Sequence, residues 1–252
     1  MNQPMRPIFD LGINNRTGKS LAWKQIERAH PGFVPEKKKR MAYNKFTLEE
    51  VVRAFGLKTH SAETVVGEPE SYPPSDFLRQ SLERGTSTAL KISTEKARSE
   101  FIVAPILLEL QVILQDEISF FSGIDFTVDK LKGLSGKCDF IFSLGSEQEY
   151  LTAPAVTVVE AKNDNIKNGL GQCVAEMVAA QIFNQQKNIN IQTIYGVVTT
   201  GVLWRFLKLK GNDLYIEDLE KSFTIADGNI GKLLGIFIKM LEKQPTARKI
   251  GD

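Results

Sequence analysis

The spacing of apolar positions changes several times along the chain, and each change predicts an element of secondary structure. From Thr94 to Leu114 apolar residues recur with helical spacing around Pro105, which predicts a long helix with a kink or a tightened turn. Shorter apolar runs then predict strands: ISFFS and IDFTV around Gly123, then GKCDFIFSL, then APAVTVVEAK. The main apolar region therefore begins with one helix and continues with strands.

A second group of signals follows these strands. QCVAEMVAAQIFNQ has a continuous helical pattern, and QTIYGVVTT and GVLWRFLKLK predict two strands with a tight turn at Thr200 and Gly201. NDLYIED predicts a further strand, and GNIGKLLGIFIKMLEK predicts a closing helix that serves as core or as a homodimer surface. Hairpin-connected strands followed by a helical crossover predict an α/β fold, with a mixed central sheet flanked by helices.

The first 90 residues show a different pattern. Thr47 and Glu50 form a capping-box sequence and Gly56 is a stop signal, so a short helix is expected between them. A second helix is expected over 76–84 with Gly85 as its stop, and residues 59–74 read as a linker. A short capped helix ending in glycine also fits a helix-turn-helix, so a DNA-reading role of this segment is a weaker hypothesis.

Three parts of the chain follow from these patterns. They are a basic flexible arm (1–40), which ends in Lys37–Arg40, a small helical segment with a linker (41–90), and a main domain (91–252). Residues 1–60 hold 12 Lys/Arg and 5 Asp/Glu, a net charge of +7 within a chain of net charge +2, so the remainder carries −5. A basic arm can bind a polyanion through counterion release, or it can simply be a solvated tail.

Composition excludes several classes of protein. No apolar run reaches the roughly 18 residues that span a bilayer, and the first thirty residues lack an apolar signal segment, so we expect no membrane association and a cytoplasmic location. Two cysteines, Cys138 and Cys173, provide no disulfide framework and are expected as small core residues. His30 and His60 lie far from any cysteine pair, so a zinc site is not indicated.

Charge interrupts the apolar strand VTVVEAK at its end. The two-residue period of a strand places Val158, Glu160 and Lys162 on one face, and both faces begin apolar. Buried charges are costly unless they are paired or bound to a metal, so Glu160 and Lys162 are either a structural ion pair or part of a site. The carboxyl ends of strands in α/β sheets are common positions for sites.

Further polar residues fall on neighbouring elements. Asp139 interrupts the preceding strand, and two close carboxylates repel each other unless a cation lies between them, which suits Mg²⁺ or Mn²⁺. Glu100 lies on the long helix and is expected to point towards the sheet. Gln172 is expected at the start of the next helix, where a helix N-terminus favours anions.

These residues, in this order, resemble the PD-(D/E)xK nuclease superfamily, which has the restriction-endonuclease-like αβββαβ core. The resemblance covers roughly residues 91–210, and KARSEFIVAPILLEL, VVEAKND, GLGQCVAEM and IYGVVTTGVLWRFLKL are similar to a bacterial branch of the superfamily that is widespread in cyanobacteria. No proline precedes Asp139, where the name of the motif has one. The resemblance implies a metal-dependent nuclease that hydrolyses phosphodiester bonds in DNA, or a catalytically inactive module of the same fold that binds DNA or protein.

The resemblance also implies a role for each residue. Asp139, Glu160 and the backbone carbonyl of Ala161 would hold Mg²⁺ (or Mn²⁺), and Glu100 would complete the metal shell directly or through water. Lys162 would position the attacking water and stabilise the charge that develops on the phosphate. Gln172 would orient the lysine or a substrate phosphate.

Overall fold

The computed structural model describes residues 42–115, 117–219, 222–225 and 229–242. The basic arm, and with it Lys37–Arg40 and His30, lies outside the described residues. The helices are α1 (Leu48–Phe55), α2 (Asp76–Ile92), α3 (Glu95–Arg98), α4 (Ala104–Ile113), α5 (Lys167–Gln186) and α6 (Ile230–Leu241). The strands are β1 (Lys58–Ala62), β2 (Ile118–Asp125), β3 (Lys137–Leu144), β4 (Ala155–Ala161), β5 (Ile194–Thr199), β6 (Leu203–Lys210), β7 (Asp213–Glu217) and β8 (Phe223–Thr224).

The eight strands form one mixed sheet. Its order is β1-β7-β6-β5-β4-β3-β2, and the short β8 pairs with β6. The pairs β1–β7 and β4–β5 are parallel and the others are antiparallel. The predicted fold class, α/β with a mixed central sheet flanked by helices, is therefore confirmed at this level. Among the described residues, no helix is both long and apolar enough to cross a membrane.

Helices cover both faces of the sheet at its centre. On one face α5 packs so closely that a Cβ added at Gly196 of β5 would lie 2.4 Å from the sulfur of Met177. On the other face the rings of Trp204 and Phe206 in β6 meet Phe237 of α6. β4 is buried along its whole length, because it lies between these two layers. The closing helix α6 is thus part of the core.

Several expected boundaries were wrong. Residues 58–62, expected in a linker, form the edge strand β1, and its polar sequence KTHSA lacks an alternating apolar signal. The run before Gly123 and the first two residues after it form the single strand β2, which ends at Asp125 and contains Gly123 at a φ of +65°. The capped helix α1 and the hairpin between β5 and β6 are as predicted.

The region around Pro105, where a kink or a tightened turn was expected, contains a wider, π-helical turn. Residues Ser99–Val103 form a π-helical turn between α3 and α4. Pro105 has no N–H and cannot donate to the carbonyl of Phe101, so the regular α-helical pattern is interrupted at this point. Helix α2 passes beside this turn. Gly85, which was expected to end α2, lies in the interior of that helix instead.

Gly85 has a packing role. A Cβ at Gly85 would lie 2.8 Å from the carbonyl oxygen and 3.2 Å from the Cβ of Phe101. Glycine in a helix interior costs about 1 kcal/mol relative to alanine, and here it permits two backbones to approach. Helix α2 ends instead at Ser93, which has a φ of +53°.

We predict that Gly85→Ala lowers the free energy of unfolding by about 1–3 kcal/mol, although alanine is the better helix former. The added methyl group meets a backbone atom, which cannot move aside as a flexible side chain would. Urea denaturation measures the effect, and Ser87→Ala, on an exposed position of the same helix, is the matched control. A stabilised Gly85→Ala protein would contradict the close approach.

Candidate active site at the end of the central strand

The site begins at the carboxyl end of β4. Glu160 is 1% exposed, and its Oε1 atom contacts the ammonium group of Lys162. The Lys162 ammonium also lies 3.7 Å from Oε2 of Glu95, at the start of α3. A Cβ at Gly169 would lie 3.1 Å from Cγ of Lys162 and 3.4 Å from Cγ of Glu160, so both side chains pass the same turn of α5. This is the shared face that the period-two pattern predicts.

Asp139 reaches the same place from β3. Its Oδ2 atom accepts a hydrogen bond of 2.9 Å from the backbone N–H of Ala161, between Glu160 and Lys162. The last registered pair between β3 and β4 is Phe140 with Val159, and the Asp139 side chain bonds to β4 just beyond it. Asp139 and Ala161 line a cleft of about 280 Å³. Asp139 therefore connects the buried pair to solvent.

The electrostatics of the cluster are dominated by carboxylates. Burial raises the pKa of Glu160 to about 8, the Asp139 carboxylate adds to the shift, and Lys162 acts against it. Burial also raises the pKa of Asp139, opposed by the N–H of Ala161 and by Lys162. Burial lowers the pKa of Lys162, but the Glu160, Glu95 and Asp139 carboxylates outweigh it and leave that pKa raised. Lys162 thus stays protonated among carboxylates that it only partly neutralises.

Gln172 holds the other side of Glu160. Its Nε2 atom donates to Oε2 of Glu160 at 2.8 Å and to Oε1 of Glu176 at 3.1 Å. The expectation that Gln172 starts the helix was wrong: α5 begins at Lys167, where Asn165 Oδ1 accepts the backbone N–H. Gln172 therefore lies in the second turn, as a bridge between two carboxyl groups.

Glu176 is a buried residue that the sequence analysis missed. It has no exposed surface, and its Oε2 atom has no hydrogen-bond partner among the described residues. Burial raises its pKa well above the ordinary value, and the nearby Glu160 adds to the shift. Its signal in the sequence was a lone glutamate in the apolar run CVAEMVAA, four residues after Gln172. Cys138 and Cys173 are buried free thiols, as expected for core residues.

The helix before the sheet contributes Glu95 and Glu100 in different ways. Glu95 contacts Lys162, whereas the Glu100 carboxylate forms an ion pair with Lys96 and is half exposed. Both residues line the cleft with Asp139. The structure thus places Glu100 at the cleft, but Glu95 is the acidic residue of this helix that reaches the lysine.

Arg98, also missed from the sequence, ties three segments together. It donates to Oδ1 of Asn163 at 3.2 Å and to the backbone carbonyl of Thr200 at 3.2 Å, and lies 3.7 Å from Asp164. These contacts connect α3 to the loop after β4 and to the β5–β6 turn. Arg98 therefore fixes the helix that carries Glu95 against the end of β4.

A hard divalent cation in the cleft would meet the Asp139 carboxylate, and Glu160 would join it by turning an oxygen away from Lys162 or Gln172. Mg²⁺ usually keeps several waters and takes only one or two protein carboxylates, so this small donor set fits it. Lys162 neutralises only part of the negative charge of the Asp139, Glu160 and Glu95 carboxylates, and a bound cation would neutralise more of it. In the described part of the chain, no group of three or more His, Cys, Asp or Glu side chains is arranged to hold a metal ion.

Comparison with protein-family models finds no match to this chain, and comparison with curated proteins finds none either.

We predict that Glu176→Gln flattens the pH dependence of stability. A carboxyl whose pKa is raised in the fold stabilises the fold below its unfolded pKa, and this contribution is lost as pH rises through the folded pKa. The wild-type free energy of unfolding should therefore fall as pH rises above 4.5, the ordinary glutamate pKa, and it should fall less in the glutamine variant. Urea denaturation at several pH values measures both curves.

Glu176→Leu is the matched variant, because it removes the charge and also the acceptor for Gln172. If Glu176→Gln keeps the full wild-type pH dependence, Glu176 is not the buried group that titrates.

Proposed function

We propose that the chain is a Mg²⁺- or Mn²⁺-dependent deoxyribonuclease of the PD-(D/E)xK superfamily. One observation carries the proposal: two carboxylates from β3 and β4 and the ammonium of Lys162 converge at the end of a fully buried strand, beside an open cleft. A structural ion pair needs one carboxylate, whereas here the Asp139 carboxylate adds to the cost of ionising Glu160. A bound divalent cation would neutralise that cost.

The order of elements supports the same proposal. The helical region 95–113 precedes β2, β3 and β4, after which come α5 and the parallel β5. The order of helix, three strands, helix and strand is the one expected for a restriction-endonuclease-like core, and it supports the proposal. The four candidate polar residues outside the first helix lie on β3, at the end of β4 and on α5, where the superfamily pattern has them.

The residues take distinct roles in the proposed reaction. Asp139 and Glu160 would hold the cation with the carbonyl of Ala161, and a bound cation would polarise the phosphate and lower the pKa of water. Lys162 donates hydrogen bonds to the phosphate oxygens on which negative charge develops. Its raised pKa keeps the ammonium group protonated, so that it can donate them. Gln172 restrains Oε2 of Glu160 by a hydrogen bond, rather than contacting the lysine.

The alternative is an inactive module of the same fold that binds DNA or protein. The contacts of Lys162 favour it to a degree, because the ammonium is held by both Glu160 and Glu95 and is only 17% exposed. Such a module would bind its partner equally well after Lys162→Met, and would cut nothing.

We predict that purified protein cleaves DNA only with Mg²⁺ or Mn²⁺, and that Asp139→Asn and Lys162→Met each lower the rate by about 10²–10³. Gel assays on single-stranded, double-stranded and branched DNA measure this. Lys210→Met, an exposed lysine at the far end of β6, is the control and should cut at the wild-type rate. Absence of cleavage on all three substrates would leave the binding module as the better account.

We also predict direct binding of Mn²⁺. At a concentration 100-fold above its Kd the ion should raise Tm by about 5–10 °C, because it binds only the folded chain. Asp139→Asn should abolish the shift, while Glu100→Gln should reduce it only in part, since Glu100 pairs with Lys96 at the rim. An unchanged shift in Asp139→Asn would place the cation elsewhere.

A further inference from the structure

A second groove adjoins the cleft on the other side of the π-helical turn. It measures about 370 Å³ and is lined by Ser81, Arg84, Gly85, Thr88, Phe101 and Pro105, together with Glu100. Glu100 also lines the cleft that contains Asp139 and Ala161. The groove and the cleft therefore share Glu100 as a wall.

The groove contains an aromatic surface and an unpaired cation. Phe101 is 40% exposed although it belongs to an apolar helix beside the core. Arg84 is exposed, and no side chain among the described residues pairs with its guanidinium group. The hydroxyl groups of Ser81 and Thr88 are the other polar side chains of the groove apart from Glu100, whose charge is offset by Lys96.

Two locally unfavourable features meet at Phe101. Gly85 weakens the interior of α2 but lets the backbone of Phe101 approach, and Pro105 accompanies the π-helical turn that carries Phe101. Such π-helical turns often mark functional positions, because they redirect side chains at a cost in regular hydrogen bonding.

We propose that this groove binds a single strand of DNA that leads into the cleft, with a base stacked on Phe101 and a phosphate on Arg84. Every base has a π-face and every nucleotide a phosphate, so an aromatic ring beside a free arginine matches this ligand without sequence readout. The inference rests on the proposed nuclease function and adds a substrate class: single strands, or duplex ends that can open.

The test is fluorescence anisotropy of a labelled oligothymidylate with the full chain in EDTA, where no cleavage interferes. Phe101→Ala should weaken binding about tenfold, and Phe101→Trp should restore it, because stacking is lost and regained. Arg84→Gln should reduce the slope of log K against log salt by about 0.7, the value for one phosphate of a single strand. Tm values of all variants report whether each remains folded.

Matched controls lie outside the groove. Phe77→Ala removes a more exposed phenylalanine (71%) from the same helix as Arg84, and Arg53→Gln removes an exposed arginine of α1; both should bind like wild type. A blunt duplex should lose less affinity than the single strand in Phe101→Ala, because its bases stay stacked on each other.

The groove proposal is overturned if wild type does not bind the oligonucleotide, if folded Phe101→Ala binds it unchanged, or if the duplex loses as much affinity as the single strand. Its failure is separate from that of the nuclease. Normal cleavage with an unaffected Phe101→Ala variant rejects the groove alone, whereas Phe101-dependent binding without cleavage rejects the nuclease alone.

Discussion

The structure around the site depends on the burial of Glu160. A carboxylate that is 1% exposed on a fully buried strand loses its hydration, and the surrounding groups must replace it. Lys162 meets Oε1 and Gln172 meets Oε2, while the neighbouring N–H of Ala161 is occupied by Asp139. Each of these contacts restrains a different element, so the buried Glu160 side chain and Asp139 together connect β3, β4 and α5.

Helix α5 can supply Gln172 only because it lies unusually close to the layers on both sides. Gly169 faces Val198, Lys162 and Glu160 on the sheet, and Gly171 faces the backbone of 46–48 on the opposite side, where a Cβ would lie 2.1 Å from the carbonyl oxygen of Phe46. The segment before α1 thus covers α5 and helps exclude water from Glu176. This burial raises the pKa of the Glu176 carboxyl well above its ordinary value, and Gln172 bridges it to Glu160.

The sequence predicted elements and candidate site residues correctly where the two-residue or helical period was strong and a polar residue interrupted it. β4 and its charged end were visible for this reason, and so was Asp139 in β3. β1 was missed because this exposed edge strand carries no apolar alternation. Gly85 was misread as a helix stop because its close contact with the backbone of Phe101 is not visible in the local sequence. Glu95 becomes visible only when α3 is placed against the sheet, since it contacts Lys162 far along the chain, whereas Glu176 had a signal as the lone glutamate in CVAEMVAA.

The π-helical turn joins these levels of structure. Three consecutive residues of this turn line both depressions: Ser99 and Glu100 line the cleft, and Glu100 and Phe101 line the groove. Arg98, just before the turn, anchors it to the ends of β4 and β5. A shift of the turn would therefore move the cleft wall and the groove wall together, while Arg98 holds both in register with Glu160 and Lys162. The same irregular segment that interrupts the first helix thus forms a wall of the cleft at the end of β4, beside Asp139 and Ala161.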